Sequence, residues 1–184
     1  MIVIIGKSGS GKTEIAKRLE RLLGINRIKG YTTRPKRDES DDDYIFVTDE
    51  FVWMMWDDDV LCKTTINGYE YFKLKSEITG DNQTIIVNPE GLRELYETDI
   101  EMVVINLVAD YEVRFRRITT NLLDTTIRDK FIGNQDNWNS VTLKAKDRLS
   151  RDAGFECLKV DWTVDANRTI EEVYEDVKKI IEMQ

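Results

Sequence analysis

The stretch that decides the fold is Gly6-Lys7-Ser8-Gly9-Ser10-Gly11-Lys12-Thr13, which follows the apolar run Ile2-Val3-Ile4-Ile5. It matches G-x-x-x-x-G-K-T between an apolar run and a helical pattern, which is the context of a phosphate-binding loop. Glycines let the main chain approach phosphate oxygens closely. The N-terminus of the following helix attracts the negative charge of these oxygens. The alternative, a flexible glycine turn, would match this pattern by chance in under roughly 1% of chains of this length. The stretch therefore predicts that the chain binds a nucleoside triphosphate.

Two side chains of this loop suit particular parts of such a ligand. The ammonium group of Lys12 can reach the β- and γ-phosphates, and the hydroxyl of Thr13 can bind Mg²⁺. We expect ATP and Mg²⁺ as cofactors. The ATP contacts would come from Ser8, Gly9, Ser10, Gly11, Lys12 and Thr13.

Length and composition indicate one globular domain. The chain has 184 residues, of which 41% are hydrophobic and 34% charged, enough to bury a core. The opening apolar run is only four residues long, and no run approaches the eighteen apolar residues of a membrane span. We therefore expect neither a signal peptide nor a membrane-spanning segment.

The net charge of −8 is unevenly distributed. Residues 1–37 carry ten Lys or Arg against two Glu, whereas residues 38–59 carry ten Asp or Glu and no base. Charge runs are usually solvated surface, but the basic segment contains the phosphate loop and so favours anion binding. The acidity of the whole chain argues against nucleic acid or a membrane surface as a partner.

Cysteine and histidine usage excludes common metal chemistry. Cys62 and Cys157 are far apart and lack metal-ligand spacing, and the chain contains no histidine. Zinc sites and acid–base catalysis by histidine are therefore not expected. A reduced, cytoplasmic setting fits best.

Hydrophobic periodicity predicts strands alternating with helices. Predicted strands cover residues 26–31, 44–47, 60–66, 69–74, 84–88, 102–108 and 157–160. One predicted helix follows the phosphate loop, and its apolar face consists of Ile15, Ala16, Leu19, Leu22 and Leu23. Further helices are predicted over residues 48–56, 90–97 and 141–151, and over two stretches that begin at about 110 and at 170. Asn67-Gly68 predicts a hairpin turn, Gly24 a helix C-cap, and Thr169 with Glu172 a capping box. Residues 119–139 show no clear period and are predicted to be a mobile segment.

This alternation is typical of an α/β P-loop NTPase fold, in which helices flank a parallel sheet with right-handed crossovers. We expect a single domain with its core in residues 1–33 and 81–184. Residues 34–80 would form an insertion of short antiparallel strands and one helix.

A second cluster of motifs resembles the nucleotide-binding signature of the guanylate kinase family. Thr32-Thr33-Arg34-Pro35-Lys36-Arg37 matches T-T-R-x-x-R, and Asp43-Tyr44-Ile45-Phe46-Val47 matches D-Y-x-F-V. Asn67-Gly68-Tyr69-Glu70-Tyr71 is similar to the family's G-x-Y-Y-G loop. The resemblance covers most of the chain, strongly in the first 75 residues and loosely between 110 and 150.

The resemblance implies an ATP-dependent nucleoside monophosphate kinase that transfers the γ-phosphoryl group to GMP, dGMP or a related (deoxy)nucleoside monophosphate. It implies a small mixed α/β monophosphate-binding insertion over 34–80 and a lid over roughly 116–148. Arg34 and Arg37 would hold the acceptor phosphate together with Tyr44 and Tyr71, although strand tyrosines can instead simply pack a sheet face. The catalytic residues would be Lys12, Arg34 and two lid arginines, for which the sequence offers Arg116 or Arg117 and then Arg148 or Arg151. We take these as Arg117 and Arg148, and solvated helix charges are the alternative for each.

The base-reading positions depart from the family pattern. Cys62 stands where the family has a glutamate, Lys73 about where it has a serine, and Asn88 where it has an aspartate. A thiol cannot accept both guanine N–H groups as a carboxylate does, which predicts weak guanine selectivity. If the alignment slips here, Glu70 or Thr64 would read the base instead.

Two other functions are open to such a chain. One is a catalytically weak guanylate-kinase-like module that binds a protein, but the complete phosphate loop weighs against it. The other is a P-loop kinase for a different small acceptor, and the paired arginines favour one that is already phosphorylated. We expect small-molecule nucleotides as partners and either a monomer or a homodimer.

Overall fold

The computed structural model describes residues 1–37, 39, 41–55, 59–128, 135–155 and 158–184. The strands are β1 Ile2–Ile5, β2 Asn26–Ile28, β3 Gly30–Thr32, β4 Tyr44–Phe46, β5 Val60–Ile66, β6 Tyr69–Leu74, β7 Gln83–Ile86, β8 Val103–Val108 and β9 Trp162–Asp165. The helices are α1 Lys12–Leu23, α2 Asp49–Trp53, α3 Pro89–Tyr96, α4 Tyr111–Arg128, α5 Gln135–Ser150 and α6 Ile170–Glu182. A parallel sheet has the strand order β2-β7-β1-β8-β9, and a smaller sheet has the order β4-β3-β6-β5. The predicted α/β P-loop fold, a parallel sheet flanked by helices, is confirmed.

The chain forms two compact units, and the first consists of Met1–Ile5 with Thr13–Val104. In it β1 and β2 both pair in parallel with β7, with Ile4 opposite Ile86 and Arg27 opposite Thr84. The β1 side chains are buried, as expected for a strand covered on both faces. The predicted apolar face of α1 is buried only as far as Leu19, because Leu22 and Leu23 are 53% and 37% exposed.

The smaller sheet also belongs to the first unit. The predicted hairpin is confirmed, with left-handed backbone at Asn67 (φ 53°) and Gly68 (φ 81°) between β5 and β6. Thr48 caps α2, since its side chain accepts a hydrogen bond from the Phe51 N–H. The strands of the predicted insertion 34–80 were expected to be antiparallel, which is wrong for β4, because it pairs in parallel with β3.

The strand predicted over residues 26–31 is in fact two strands in different sheets. Residues Asn26–Ile28 pair with β7 in the large sheet, whereas Gly30–Thr32 pairs with β4 and β6 in the smaller one. The sequence shows one continuous extended stretch here. The change of sheet depends on pairing partners that come later in the chain.

The second unit consists of Gly6–Lys12 with Ile105–Gln184. Its strand β9 pairs in parallel with β8, with Leu107 opposite Val164. The strand predicted at 157–160 is wrong: Cys157 lies outside the described residues, and residues 158–160 are not in a strand. In β9 only Val164 is buried, so this edge strand has too weak an apolar pattern to be read from sequence.

The predicted irregular segment 119–139 is helical wherever the structure describes it. Helix α4 continues to Arg128 and α5 begins at Gln135, while residues 129–134 lie outside the described part of the chain. The threonine-rich sequence of α4 hides its helical period, and packing stabilises the helix instead, as Ile118, Ala145 and Leu149 form a shared core cluster. The capping box at the start of α6 is confirmed. None of the described helices is both long and apolar enough to cross a bilayer.

Candidate active site

The phosphate loop in the second unit needs glycine at particular positions. Gly6 and Gly9 have φ values of +151° and +80°, in the region that disfavours side chains. A Cβ on Gly6 would lie 2.5 Å from the carbonyl oxygen of Leu107, and one on Gly9 would lie 2.9 Å from that of Arg114. The shape of the loop therefore depends on both backbone freedom and close packing.

A buried hydroxyl in the loop fits a phosphate ligand. The N–H of Ser10 donates to the Lys7 carbonyl at 3.1 Å and closes a turn. The Ser10 hydroxyl is buried and has no hydrogen-bond partner among the residues that the structure describes. Buried hydroxyls are normally satisfied, so this orphaned group is consistent with a site for phosphate oxygens.

Lys12 is held inside the loop by main-chain acceptors. Its Nζ donates to the carbonyl oxygens of Gly6 at 2.7 Å and Lys7 at 3.1 Å. Desolvation lowers the pKa of Lys12 to about 8; the charge of Asp152 opposes this shift, and that of Arg114 adds to it. Lys12 is therefore mostly charged at neutral pH, and phosphate oxygens could replace the two carbonyl acceptors.

Few side chains near the phosphate loop could bind a Mg²⁺ ion. Thr13 lies in the first turn of α1, and the residues that follow β7 are Val87 and Asn88 rather than a carboxylate. Among the described residues, no group of three or more His, Cys, Asp or Glu side chains could hold a metal ion. Thr13 is therefore the side chain that would hold Mg²⁺, with phosphate oxygens and water as the other ligands that Mg²⁺ prefers.

The arginine clamp, which we define as Arg34, Arg37, Asp41, Tyr44 and Tyr71, lies in the first unit. The guanidinium of Arg34 donates from Nη2 to Asp41 Oδ2 at 2.9 Å and from Nη1 to the Pro35 carbonyl at 2.8 Å. The backbone N–H of Arg37 donates to the same Asp41 oxygen at 3.2 Å. The guanidinium of Arg34, which was predicted to bind an anion, and the backbone N–H of Arg37 therefore converge on one carboxylate.

Aromatic rings surround this guanidinium. Its central carbon lies 5.2 Å from the ring centre of Phe46 and 5.9 Å from that of Tyr44, within the range of cation–π attraction. The rings of Tyr44 and Tyr71 meet edge to face with centres 5.5 Å apart. Burial raises the pKa of Tyr44, so its hydroxyl stays protonated and can donate a hydrogen bond.

The ion pair of the clamp is buried, with the side chains of Arg34 and Asp41 10% and 7% exposed. Arg34 Nε is also buried and has no partner within the described part of the chain. A buried guanidinium with an unused donor is poised for a further acceptor. The structure thus brings Arg34, the Arg37 backbone, Tyr44 and Tyr71 together.

The predicted base-reading residues Cys62 and Asn88 both contact Gly91 at the start of α3. Asn88 Oδ1 accepts a hydrogen bond from the Gly91 N–H at 2.8 Å and so caps the helix. Cys62 lies at a bulge of β5 with a positive φ of 58°, and a Cβ on Gly91 would overlap its sulfur. Burial raises the pKa of the Cys62 thiol to about 12, so the sulfur stays protonated.

Lys73 places a cation beside these residues. Its side chain is buried, and Nζ donates to the Ile28 carbonyl at 3.2 Å. Burial lowers the pKa of Lys73 to about 8, opposed by the neighbouring Cys62 and Glu77. The predicted alternatives Glu70 and Thr64 lie on the hairpin strands, where Glu70 accepts from Thr65 at 2.9 Å.

Comparison with known proteins identifies the family. Residues 2–126 match the family model described as an AAA domain. This chain belongs to the AAA domain family. Its structure is similar to that of guanylate kinase from Anaplasma phagocytophilum, with a TM-score of 0.62 and 19% identity over 100% of this chain and 85% of that one. It is also similar to an uncharacterized protein from Eubacterium ventriosum ATCC 27560, with a TM-score of 0.51 and 12% identity over 100% of this chain and 99% of that one.

No curated protein sequence matches this AAA domain protein. At 19% identity, the similarity to guanylate kinase is one of fold, and it confirms the resemblance that the sequence motifs indicated. Together, the family match and the phosphate loop indicate a P-loop fold that binds nucleotide.

The two predicted lid arginines of the AAA domain protein have different surroundings. Arg117 in α4 donates to the Arg168 carbonyl at 3.0 Å and reaches the Gly9 carbonyl of the phosphate loop at 3.5 Å. Arg148 is half-buried on α5. The part of the predicted lid from residue 129 to 134 lies outside the described residues.

Sequence reasoning missed two residues of the AAA domain protein that contact the phosphate loop, Arg114 and Asp152. They form a buried ion pair, and both hydrogen-bond to Ser8. The sequence contains only a weak signal for them, because Arg114 looks like one of several basic residues on α4. Arg148-Leu149 followed by Asp152 resembles the segment of the guanylate kinase family that carries a second lid arginine, and this resemblance gives Asp152 no role of its own.

Proposed function

We propose that this protein is an ATP-dependent nucleoside monophosphate kinase that transfers the γ-phosphoryl group to GMP, dGMP or a related (deoxy)nucleoside monophosphate. The observation that carries the proposal is the buried guanidinium of Arg34, whose Nε has no partner among the residues that the structure describes. This guanidinium lies beside Tyr44, which itself contacts Tyr71, and the chain also has a complete phosphate loop. A fixed guanidinium binds phosphate better than an exposed one, because its hydrogen-bond donors are already aligned.

In this mechanism the side chains position charge rather than make covalent bonds. Loop N–H groups and Lys12 would hold the β- and γ-phosphates of ATP, and Mg²⁺ beside Thr13 would neutralise part of their charge. Arg34, Arg37 and the tyrosine hydroxyls would hold the acceptor's phosphate. That phosphate oxygen is already anionic, so no histidine or other base is needed to activate it.

The first test measures ATP turnover with a panel of ribo- and deoxynucleoside monophosphates. We expect turnover with several bases and weaker guanine selectivity than a carboxylate pocket would give. The Cys62 thiol stays protonated, and the Asn88 oxygen already accepts from Gly91. Each unpaired guanine donor costs about 1–3 kcal/mol, or roughly tenfold or more in discrimination.

The matched variant for this test is Asn88→Asp, which keeps the helix cap and restores a carboxylate. It should raise kcat/KM for GMP relative to the other monophosphates. A preference of the unaltered protein for GMP by several orders of magnitude would contradict the prediction.

A second candidate is a kinase for another small phosphorylated acceptor. The observation that favours it is that Cys62 and Lys73 are buried. They occupy positions where the guanylate kinase family has residues that bind the base. Phosphorylated sugars therefore belong in the panel. Turnover with a sugar phosphate and with no nucleotide would favour this candidate.

The proposed acceptor clamp predicts an asymmetric effect of Arg37→Ala. Because Arg37 is assigned to the acceptor's phosphate, KM for the monophosphate should rise far more than KM for ATP. Each charge-assisted hydrogen bond lost should cost about 1.5–3 kcal/mol. Steady-state kinetics with each substrate varied in turn checks this, and Lys36→Ala removes a neighbouring exposed charge as the control. A rise in KM for ATP alone would place residues 34–37 on the donor side.

A further inference from the structure

Two carboxylates directly before β4, Asp42 and Asp43, bind cations from other elements of the first unit, and we call them the acidic tether. On α1, Lys17 Nζ lies 2.8 Å from Asp42 Oδ1 and 2.7 Å from Asp43 Oδ1. On β2, Arg27 Nη1 lies 3.5 Å from the same Asp43 oxygen. The tether therefore attaches the start of β4 to a helix and to a strand of the large sheet.

The cation from β2 is itself held in place. The Arg27 side chain is only 5% exposed, and its Nε donates to Glu20 Oε2 on α1 at 3.4 Å. Its backbone lies opposite Thr84 in the parallel sheet. A side chain that is already ordered loses little further entropy when it binds a carboxylate. Arg27 therefore offers Asp43 a fixed anchor, and Lys17 adds a second one.

Strand β4, which follows the tether, is short and lies at a sheet edge. It has three residues, and within the described part of the chain it pairs with β3 alone. Few backbone hydrogen bonds can hold a strand of this length. Its first residue, Tyr44, lies opposite Gly30, and a Cβ on Gly30 would lie 3.3 Å from the Tyr44 ring. The position of this tyrosine therefore depends on where β4 begins.

The carboxylate before the tether belongs to the arginine clamp. Asp41 Oδ2 accepts from Arg34 Nη2 at 2.9 Å, and the Arg34 guanidinium carbon lies 5.9 Å from the ring centre of Tyr44. Three successive carboxylates thus bind either the clamp or the elements that support it. The clamp is therefore connected to α1 and β2 through its own backbone.

We propose that Asp43, held by Lys17 and Arg27, is a positioning residue for the acceptor, because it fixes the start of β4 and so keeps Tyr44 beside Arg34. This inference rests on the proposed function, in which the clamp binds the phosphate of the acceptor. It adds that α1 and β2, which lie outside the clamp, set the geometry of the clamp.

The test is steady-state kinetics with ATP and the monophosphate of the panel that has the highest kcat/KM. Lys17→Gln and Asp43→Asn should each raise KM for this acceptor roughly three- to tenfold and leave KM for ATP unchanged, because either change loosens the start of β4. Lys17→Arg can still pair with both carboxylates and should keep KM for the acceptor near that of the unaltered protein. If Asp43→Asn fails to fold, Lys17→Gln changes a partly exposed side chain and carries the same test.

The directions of the two changes separate positioning from simple electrostatics. Near an anion site, loss of a cation weakens anion binding and loss of a carboxylate strengthens it. A purely electrostatic effect would therefore move KM in opposite directions in Lys17→Gln and Asp43→Asn, whereas positioning predicts that both rise. The double variant should raise KM by less than the product of the single effects, because both changes break the same contact.

A second measurement needs no substrate. The Val47 N–H directly after β4 donates to the Thr32 carbonyl at 2.9 Å. Without nucleotide, its hydrogen exchange should be roughly two- to fivefold faster in Lys17→Gln and Asp43→Asn than in the unaltered protein. Glu182→Gln removes an exposed carboxylate of α6 and is the matched control, in which the exchange and both KM values should stay unchanged.

Opposite changes of KM, or no change of KM for the acceptor, would overturn the inference and leave the proposed function standing. An equal rise of KM for ATP, unchanged exchange at Val47, or a double variant that gives the full product would overturn it as well. If the unaltered protein turns over no monophosphate, the proposed function fails and the inference fails with it.

Discussion

Replacing Lys12 with alanine is expected to lower phosphoryl transfer by several orders of magnitude. Lys12 is the loop's point charge for the β- and γ-phosphates, where charge changes most during transfer. The loss should be comparable to the roughly 10³–10⁵ in kcat that a single catalytic arginine supplies in related chemistry. Single-turnover assays with saturating ATP and acceptor measure it directly.

The fold should survive this substitution. Desolvation lowers the pKa of Lys12 in the folded protein to about 8. Keeping Lys12 charged at pH 7 therefore opposes folding. This cost disappears as pH rises through the pKa of Lys12 in the folded protein and then through its pKa in the unfolded chain. The thermal midpoint of Lys12→Ala at pH 7 should therefore equal or exceed that of the unaltered protein. Arg21→Ala, an exposed charge in the last turn of the same helix, is the matched control and should retain activity. Turnover of Lys12→Ala like that of the unaltered protein would exclude the donor assignment.

The second large effect is expected for Arg34→Ala, which should reduce both activity and stability. Two charge-assisted hydrogen bonds to the acceptor's phosphate would be lost, at about 1.5–3 kcal/mol each, so kcat/KM for the acceptor should fall by roughly 10²–10⁴. Removing one partner of a buried ion pair leaves the Asp41 carboxylate buried and unpaired, which costs about 3–5 kcal/mol of unfolding free energy.

A double variant separates these two effects. Arg34→Ala/Asp41→Ala removes the orphaned carboxylate, so urea unfolding should show much of the stability recovered. Activity should stay low, because the phosphate ligand is still missing. Recovery of activity together with stability would mean that Arg34 serves the fold and not the acceptor.

The structure also explains what Asp41 does before an acceptor arrives. Its carboxylate accepts from Arg34 Nη2, which belongs to the guanidinium that we assign to phosphate, and from the backbone N–H of Arg37. The acidic run over residues 38–59, which contains Asp41, was predicted only to be solvated surface. Its role depends on a backbone path that brings Asp41 back to Arg34, and the sequence does not show that path.

Several features could be predicted because the interactions that create them are local. The hairpin turn at Asn67-Gly68 follows from the preference of these two residues for positive φ. The cap at Thr169 follows from a hydrogen bond to a residue three positions later. The phosphate loop likewise depends on its own glycines and on the helix that begins directly after it.

The failed predictions share a different cause. β9 has little apolar character of its own and becomes a strand through pairing with β8. β4 pairs in parallel with β3, although short neighbouring strands suggested antiparallel pairing. The threonine-rich stretch of α4 becomes helical where it packs against α5. In each case a distant partner outweighs the local preference.

The sequence by itself therefore determined the phosphate loop, the α/β class and the positions of the arginines and tyrosines, because each depends on residue type and short-range spacing. Only the tertiary structure decided which charges meet. Asp152 reaches Ser8 across 144 positions of sequence and pairs with Arg114 across 38. Hydrogen bonds and ion pairs act over a few ångströms of space whatever the separation along the chain. The residues that complete the candidate site are therefore known only once the fold has brought them together.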